Sequence, residues 1–135
     1  MKNKLIILRW LPGSGKTTFS NKFIESHPNF KRVCGDNLIY MMGGKPVGWV
    51  SEIELTTADL LLHNGNWVIV DSINESEAQV NNLKRIAYMN DVDYTVITLK
   101  TPLPKCIENS KMKLSPTPTS KIKSLFDNYF KRLYA

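Results

Sequence analysis

Gly13, Gly15, Lys16 and Thr17 are the residue types, in the order, that bind a polyphosphate. They lie in RWLPGSGKTTFS, residues 9–20, which closes on Gly15-Lys16-Thr17, the end of the phosphate-binding pattern G-x-x-x-x-G-K-[ST]. Closely spaced glycines let the backbone turn so that successive amide N–H groups point inward. Together with the N-terminus of the following helix they hold phosphate oxygens. Lys16 adds positive charge at the β- and γ-phosphates, and the Thr17 hydroxyl can join the coordination of Mg²⁺. Pro12, Gly13, Ser14, Gly15, Lys16, Thr17 and Thr18 are therefore the candidate nucleotide-binding residues. Trp10 stands where the pattern has its first glycine. It lies at the outer end of the loop, so the amides of residues 13–18 are untouched and binding is expected to survive. The indole is expected to pack beside the strand with a negative φ; stacking on a base is the sharper alternative.

Phosphoryl transfer also needs a group to orient or deprotonate the acceptor, and cations to neutralise the moving phosphoryl. Asp36, in CGDNLIY, follows a short apolar strand and is the candidate base; its competing role is to cap the next helix. Asp71, in VIVDSIN, ends an apolar strand where an acid can hold the water shell of Mg²⁺ or the loop hydroxyl, with a turn as the competing role. Thr17 and Asp71 are the candidate metal ligands, and Asn74 is a candidate support for the same site. Lys111 and Lys113 fall in a polar stretch from which a lid could bring a cation onto the β/γ-phosphates; the alternative is plain solvated surface. His27 and His63 have no partner spacing that suggests a metal.

These residues must be carried by elements, and strand-like and helix-like segments alternate. Residues 5–10, 30–34, 67–70 and 94–99 read as strands, and 17–26, 51–62 and 75–89 as helices. A final amphipathic helix carries Ile122, Leu125, Phe126, Tyr129, Phe130 and Leu133 at intervals of three and four. Ser51 is a plausible cap, and Gly65 stops its helix. Residues 41–49 read as a glycine-rich loop, and 109–120 as a mobile polar segment. The alternation argues for one α/β domain over 1–135: a mainly parallel sheet with helices on both faces and a mobile lid at 105–118.

At 135 residues the chain can bury a core without disulfides. Cys34 and Cys106 are too few and too far apart for a disulfide or metal framework, and read as reduced thiols of a cytoplasmic protein. No run is long and apolar enough for a signal peptide or membrane span, so Asn74-Glu75-Ser76 is a chance match to a glycosylation acceptor. Of the net charge of +6, most lies between residues 111 and 132, where Lys111, Lys113, Lys121, Lys123, Lys131 and Arg132 face Asp127 alone. Such clustering suits a polyanionic partner, nucleic acid or nucleotide phosphate; the competing reading, and the stronger one for a charge run alone, is a solvated helix face.

With these residues placed, nearly the whole chain resembles the kinase half of bacteriophage polynucleotide 5′-hydroxyl kinase. The resemblance rests on PGSGKTTFSNKFIESHPNF, on Asp36, on TADLLLHNGNWVIVDSIN, and on NSKMK with the proline and helix that follow. It implies a P-loop NTPase/kinase-like fold with a four- or five-stranded parallel sheet. It also implies ATP with Mg²⁺, Asp36 as general base, and transfer to a 5′-hydroxyl of DNA or RNA in the host cytoplasm. The family's phosphatase half is missing, so 3′-phosphatase activity is expected to be missing too. Three positions depart: Trp10 replaces the loop glycine, Ile39 replaces an arginine that grips a substrate phosphate, and Met112 falls where the lid arginine should be. The departures touch the acceptor and lid, so other acceptors remain open: a hydroxymethylated pyrimidine in DNA, with Trp49 lining a base pocket, or a nucleoside, sugar or antibiotic. A nucleotide-dependent binding module is the non-enzymatic alternative.

Overall fold

The computed structural model describes residues 3–44, 48–113 and 116–134. Residues 45–47 of the glycine-rich stretch and 114–115 of the expected lid lie outside that set. Four strands, β1 (Asn3–Arg9), β2 (Phe30–Cys34), β3 (Trp67–Asp71) and β4 (Asp93–Thr98), form one sheet in the order β2-β3-β1-β4. Every pairing is parallel, with Ile7 opposite Val70 and Val96, and Cys34 opposite Asp71. Near-continuous apolar runs such as LIIL are what a strand covered on both faces requires.

Helices α1 (Lys16–Ser26), α2 (Gly35–Met41), α3 (Val50–His63) and α4 (Glu77–Met89) connect the strands. Side chains alternate across the sheet, which splits the core in two. Leu5, Ile7, Val68 and Val70 meet Ala58 and Leu62 of α3 and Leu83 and Ala87 of α4. On the other face Ile6, Leu8, Phe30 and Ile69 meet Phe19, Phe23 and Ile24 of α1. The expected helices on both faces are present. On α4 the apolar Ala78 is exposed, and Val80, Leu83 and Ala87 are buried. Ser51 is not the cap of α3, which begins one residue earlier with Trp49 at the N-cap. Gly65, at φ 85°, does follow its end.

The chain closes with α5 (Leu103–Lys111), α6 (Thr119–Leu125), a π-helical turn at Phe126–Phe130 and α7 (Lys131–Tyr134). They enclose a third cluster of Trp10, Leu11, Cys106, Ile122 and Phe130. The π turn corrects one expected core residue. A helix with the usual 3.6 residues per turn would bring Tyr129 inward, but the wider turn rotates it to 38% exposure while Phe130 is fully buried. Among the described residues no helix is long and apolar enough to cross a membrane.

Candidate active site

β1 ends at Arg9, and the chain turns through Trp10–Gly15 into α1. Gly13 and Gly15 take φ of 81° and 97°, a backbone region that side chains avoid. At Gly13 there is a second constraint, because a Cβ would collide with the carbonyl of Cys106 on α5. The loop is also tied from outside. Thr101 Oγ1 donates to the Ser14 carbonyl at 2.7 Å, and Asn109 Nδ2 donates to the Gly13 carbonyl at 2.9 Å. Helix α5 is thus a wall of the phosphate loop. Residues 109–111, read from sequence as part of a mobile polar segment, are its last turn; composition hid this because α5 meets the loop through polar groups.

Lys16 turns back into the loop. Its Nζ donates to the carbonyls of Trp10 at 2.9 Å and Leu11 at 2.8 Å, and to Ser14 Oγ at 3.2 Å. Burial lowers its pKa to about 8, with Asp71 and Asp36 opposing the shift and Lys113 adding to it. Trp10 is fully buried and is not among the residues with positive φ. Its Nε1 donates to the Thr101 carbonyl at 2.6 Å, and its ring lies against Phe130. The packing expectation holds, and stacking on a base is excluded for a ring so enclosed.

Asp71 and Arg32 share the α1 face of neighbouring strands. Arg32 Nε donates to Asp71 Oδ2 at 2.7 Å, Ser20 Oγ donates to the same oxygen at 2.9 Å, and Arg32 Nη2 lies 3.4 Å from Thr17 Oγ1. The two candidate metal ligands are therefore brought together with a guanidinium between them. Arg32 was missed in the sequence, although it was legible. In FKRVC it falls between Phe30 and Cys34 on a buried face, where an arginine needs a carboxylate.

Asp36 lies exposed in the first turn of α2, at the same carboxyl edge of the sheet. It is not the N-cap, a position held by Cys34 without a side-chain cap bond. Glu54 of α3, also missed, accepts a hydrogen bond from Ser72 Oγ at 2.8 Å, and the Gly35 amide donates to Ser72 Oγ at 3.2 Å. Burial raises the Glu54 pKa, with Glu75, Asp36 and Asp71 adding to the rise and Ser72 opposing it. Asn74 sits at φ 50° and is buried; it holds the loop after β3 to β1 by donating to the Leu8 carbonyl at 2.6 Å. Arg9 completes that tie, donating to the carbonyls of Asn74 and Glu75. Asn74 is thus placed as a strut of the site's edge.

Lys111 and Lys113 are both exposed. Lys113 is near enough to Lys16 to repel its charge. Cys106 is buried and its pKa is pushed up to about 11, chiefly by burial; Cys34 is raised for the same reason. Neither is a ready nucleophile. The donor set fits a nucleoside triphosphate, for which the left-handed glycines, the α1 N-terminus and the Lys16 ammonium form the cradle. Thr17 is exposed and fits a divalent cation bound with it, whereas Asp71 Oδ2 is already engaged.

A family model described as an AAA domain matches residues 5–128. Among solved structures, a chain of the Pnkp1/Rnl/Hen1 RNA repair complex superposes with a TM-score of 0.81 at 24% identity, over 98% of this chain and 46% of that one. A gluconokinase from Sinorhizobium meliloti 1021 gives 0.65 at 17% identity, over 90% of this chain and 72% of that one. A shikimate kinase from Acinetobacter baumannii, solved with shikimate, gives 0.59 at 18% identity, over 98% and 79%. The chain spans less than half the length of the repair-complex chain. The shared fold is a P-loop kinase-like domain on a four-stranded parallel sheet.

Proposed function

The chain belongs to the AAA-domain family, and on that premise we propose that it is an ATP-dependent phosphotransferase acting on a nucleic-acid hydroxyl, the 5′-hydroxyl of DNA or RNA. The observation that carries this is the convergence on one sheet edge of the phosphate loop, the exposed Asp36 and Lys113, the last two both within electrostatic reach of Lys16. In this reading the amides of residues 13–18 and Lys16 hold the triphosphate. Asp36 orients the acceptor hydroxyl and takes its proton as the oxygen bonds to the γ-phosphorus and the bond to ADP breaks. Lys113 neutralises charge on the moving phosphoryl in place of the lid arginine. Thr17 would hold the Mg²⁺ that accompanies the nucleotide, and the ion would supply further charge neutralisation. The basic run from Lys111 to Arg132 suits a polyanionic acceptor, as does the likeness to a chain of an RNA repair complex.

A second reading, a small neutral alcohol as acceptor, is favoured by the acceptor side itself. Ile39 supplies no cation there, and Asp36, Glu54 and Glu75 gather negative charge. The test is transfer from γ-labelled ATP to 5′-hydroxyl DNA and RNA oligonucleotides, end-blocked DNA containing 5-hydroxymethyluracil, and free nucleosides and sugar acids. The expected result is label on the 5′ ends, lost in Asp36→Asn while ATP binding persists. Label confined to the modified base would move the acceptor into the strand, and label confined to free small molecules would establish the second reading.

A further inference from the structure

Arg32 stands where two observations meet. It lies on the α1 face of β2 between the buried Phe30 and Cys34, with its side chain only 17% exposed. Its guanidinium joins Asp71 Oδ2, through Nε at 2.7 Å, to the neighbourhood of Thr17 Oγ1, 3.4 Å from Nη2. A hydroxyl from the start of α1 and a carboxylate from the end of β3 are the pair that a divalent cation would bridge at such a loop. Here the bridging charge is covalently part of the chain.

We propose that Arg32 is a resident cation of the phosphate site, which keeps Asp71 from the metal and presents its outer nitrogens to the β/γ-phosphate oxygens of a bound nucleotide. This rests on reading the loop as a nucleotide cradle and is independent of the acceptor. The physical grounds are three. A guanidinium–carboxylate pair at this distance, with Asp71 3% exposed, is short and charge-assisted, and Ser20 fixes the same oxygen from the other side. Mg²⁺ gives up its waters reluctantly, so displacing a tethered arginine from a buried carboxylate is unfavourable. Arginine's planar fork can bind Asp71 through Nε and still turn Nη atoms toward a second anion, which lysine cannot do. Mg²⁺ that arrives with the nucleotide is then held through Thr17 and phosphate oxygens, without Asp71.

The experiment is calorimetric titration of the full chain with ATP, once in EDTA and once in excess Mg²⁺. The wild type is expected to bind in both, with affinities within about threefold, since the metal's anchor on the protein is a single hydroxyl. Arg32→Gln should lose about tenfold in EDTA, the scale of one charge-assisted hydrogen bond, and recover part of it with Mg²⁺ now that Asp71 is available. Arg32→Lys should fall between. Where Arg32→Gln fails to fold, the Arg32→Gln/Asp71→Asn pair removes both charges together; it should bind weakly in EDTA and gain no more from Mg²⁺ than the wild type does. ATP binding in EDTA that is unchanged by these substitutions overturns the proposal while leaving the cradle intact. No ATP binding by the wild type under either condition overturns the nucleotide reading itself.

Discussion

Trp10 packs on Phe130 with ring centroids 4.9 Å apart and planes inclined at 37°. The contact joins the first residue of the phosphate loop to the π-helical turn of the last helical run, so the loop's shape depends on C-terminal packing. The glycine that the motif has at this place would leave that cluster hollow. Trp10→Gly is therefore expected to destabilise the fold by at least about 3–5 kcal/mol, the range for deleting a buried aromatic ring. Trp10→Phe should lose much less. Chemical denaturation measures this. A Trp10→Gly protein with wild-type stability and weakened ATP binding would restore the stacking role that burial excludes.

Lys16 makes nucleotide binding dependent on pH. Its pKa of about 8 in the free protein means that the ammonium is lost at moderately alkaline pH. A bound triphosphate favours the ammonium, so binding above pH 8 takes up a proton. Affinity should be flat below about pH 7 and decline as pH rises past 8. Calorimetry at pH 8.5 in buffers of different ionisation enthalpy should report that uptake, and Lys16→Met should abolish it. For folding the sign is opposite. Below pH 8 both states hold the proton and the folded state bears the full desolvation cost. Between about 8 and the ordinary 10.5 the unfolded chain holds more protons, so this contribution to stability improves with rising pH.

Glu54 gives a second pH signature. Its pKa is raised in the folded protein, so the folded state holds more protons across the window above the ordinary carboxylate value, and stability falls as pH rises through it. The cost of the buried charge grows as pH rises through that window. Glu54→Gln keeps an acceptor for Ser72 and removes that charge. It should raise Tm at pH 7, by on the order of 3 °C per kcal/mol relieved, and have little effect near pH 3. A variant less stable at both pH values would show that the Ser72 bond outweighs the charge.

How much of this could be read in the sequence depended on whether a residue's signal was local. The glycine–lysine–threonine run, the strand before it and Asp36 after β2 follow from motif and periodicity, and the alternation of elements gave the doubly covered sheet. What escaped was pairing between distant segments. Arg32 and Asp71 are 39 residues apart, Glu54 and Ser72 belong to different elements, and Asn109 reaches the Gly13 carbonyl across 96 positions. The polar composition of residues 109–120 carries no sign that Asn109 binds a loop carbonyl. The π turn escaped for another reason: it changes the helical period itself, and only the burial of Phe130 beside an exposed Tyr129 reveals it.

The two loop glycines should respond differently to alanine. Both have positive φ, but a Cβ at Gly15 meets nothing within 4 Å, while one at Gly13 meets the backbone of α5. Gly15→Ala carries backbone strain alone, on the order of 1–3 kcal/mol. Gly13→Ala must also push α5 outward, and α5 carries the Asn109 hydrogen bond that fixes the loop. Thermal denaturation should place Gly13→Ala well below Gly15→Ala. Equal losses would mean that α5 yields freely, as a lid must.

The charges of Lys111 and Lys113 separate a catalytic cation from surface charge. Lys113 is near enough to Lys16 to add to the lowering of its pKa, and Lys111 lies two residues before it, both exposed. If Lys113 moves onto the phosphoryl group in transfer, Lys113→Ala should lower kcat by about tenfold or more, the scale of one charged contact made in the transition state, with ATP affinity nearly unchanged. Lys111→Ala should leave kcat alone and weaken only the salt-sensitive binding of a polyanionic acceptor. Steady-state kinetics at two ionic strengths distinguish these effects. Equal, salt-dependent losses in KM for both would make the pair a basic surface and leave the transferred phosphoryl to Lys16 and Arg32.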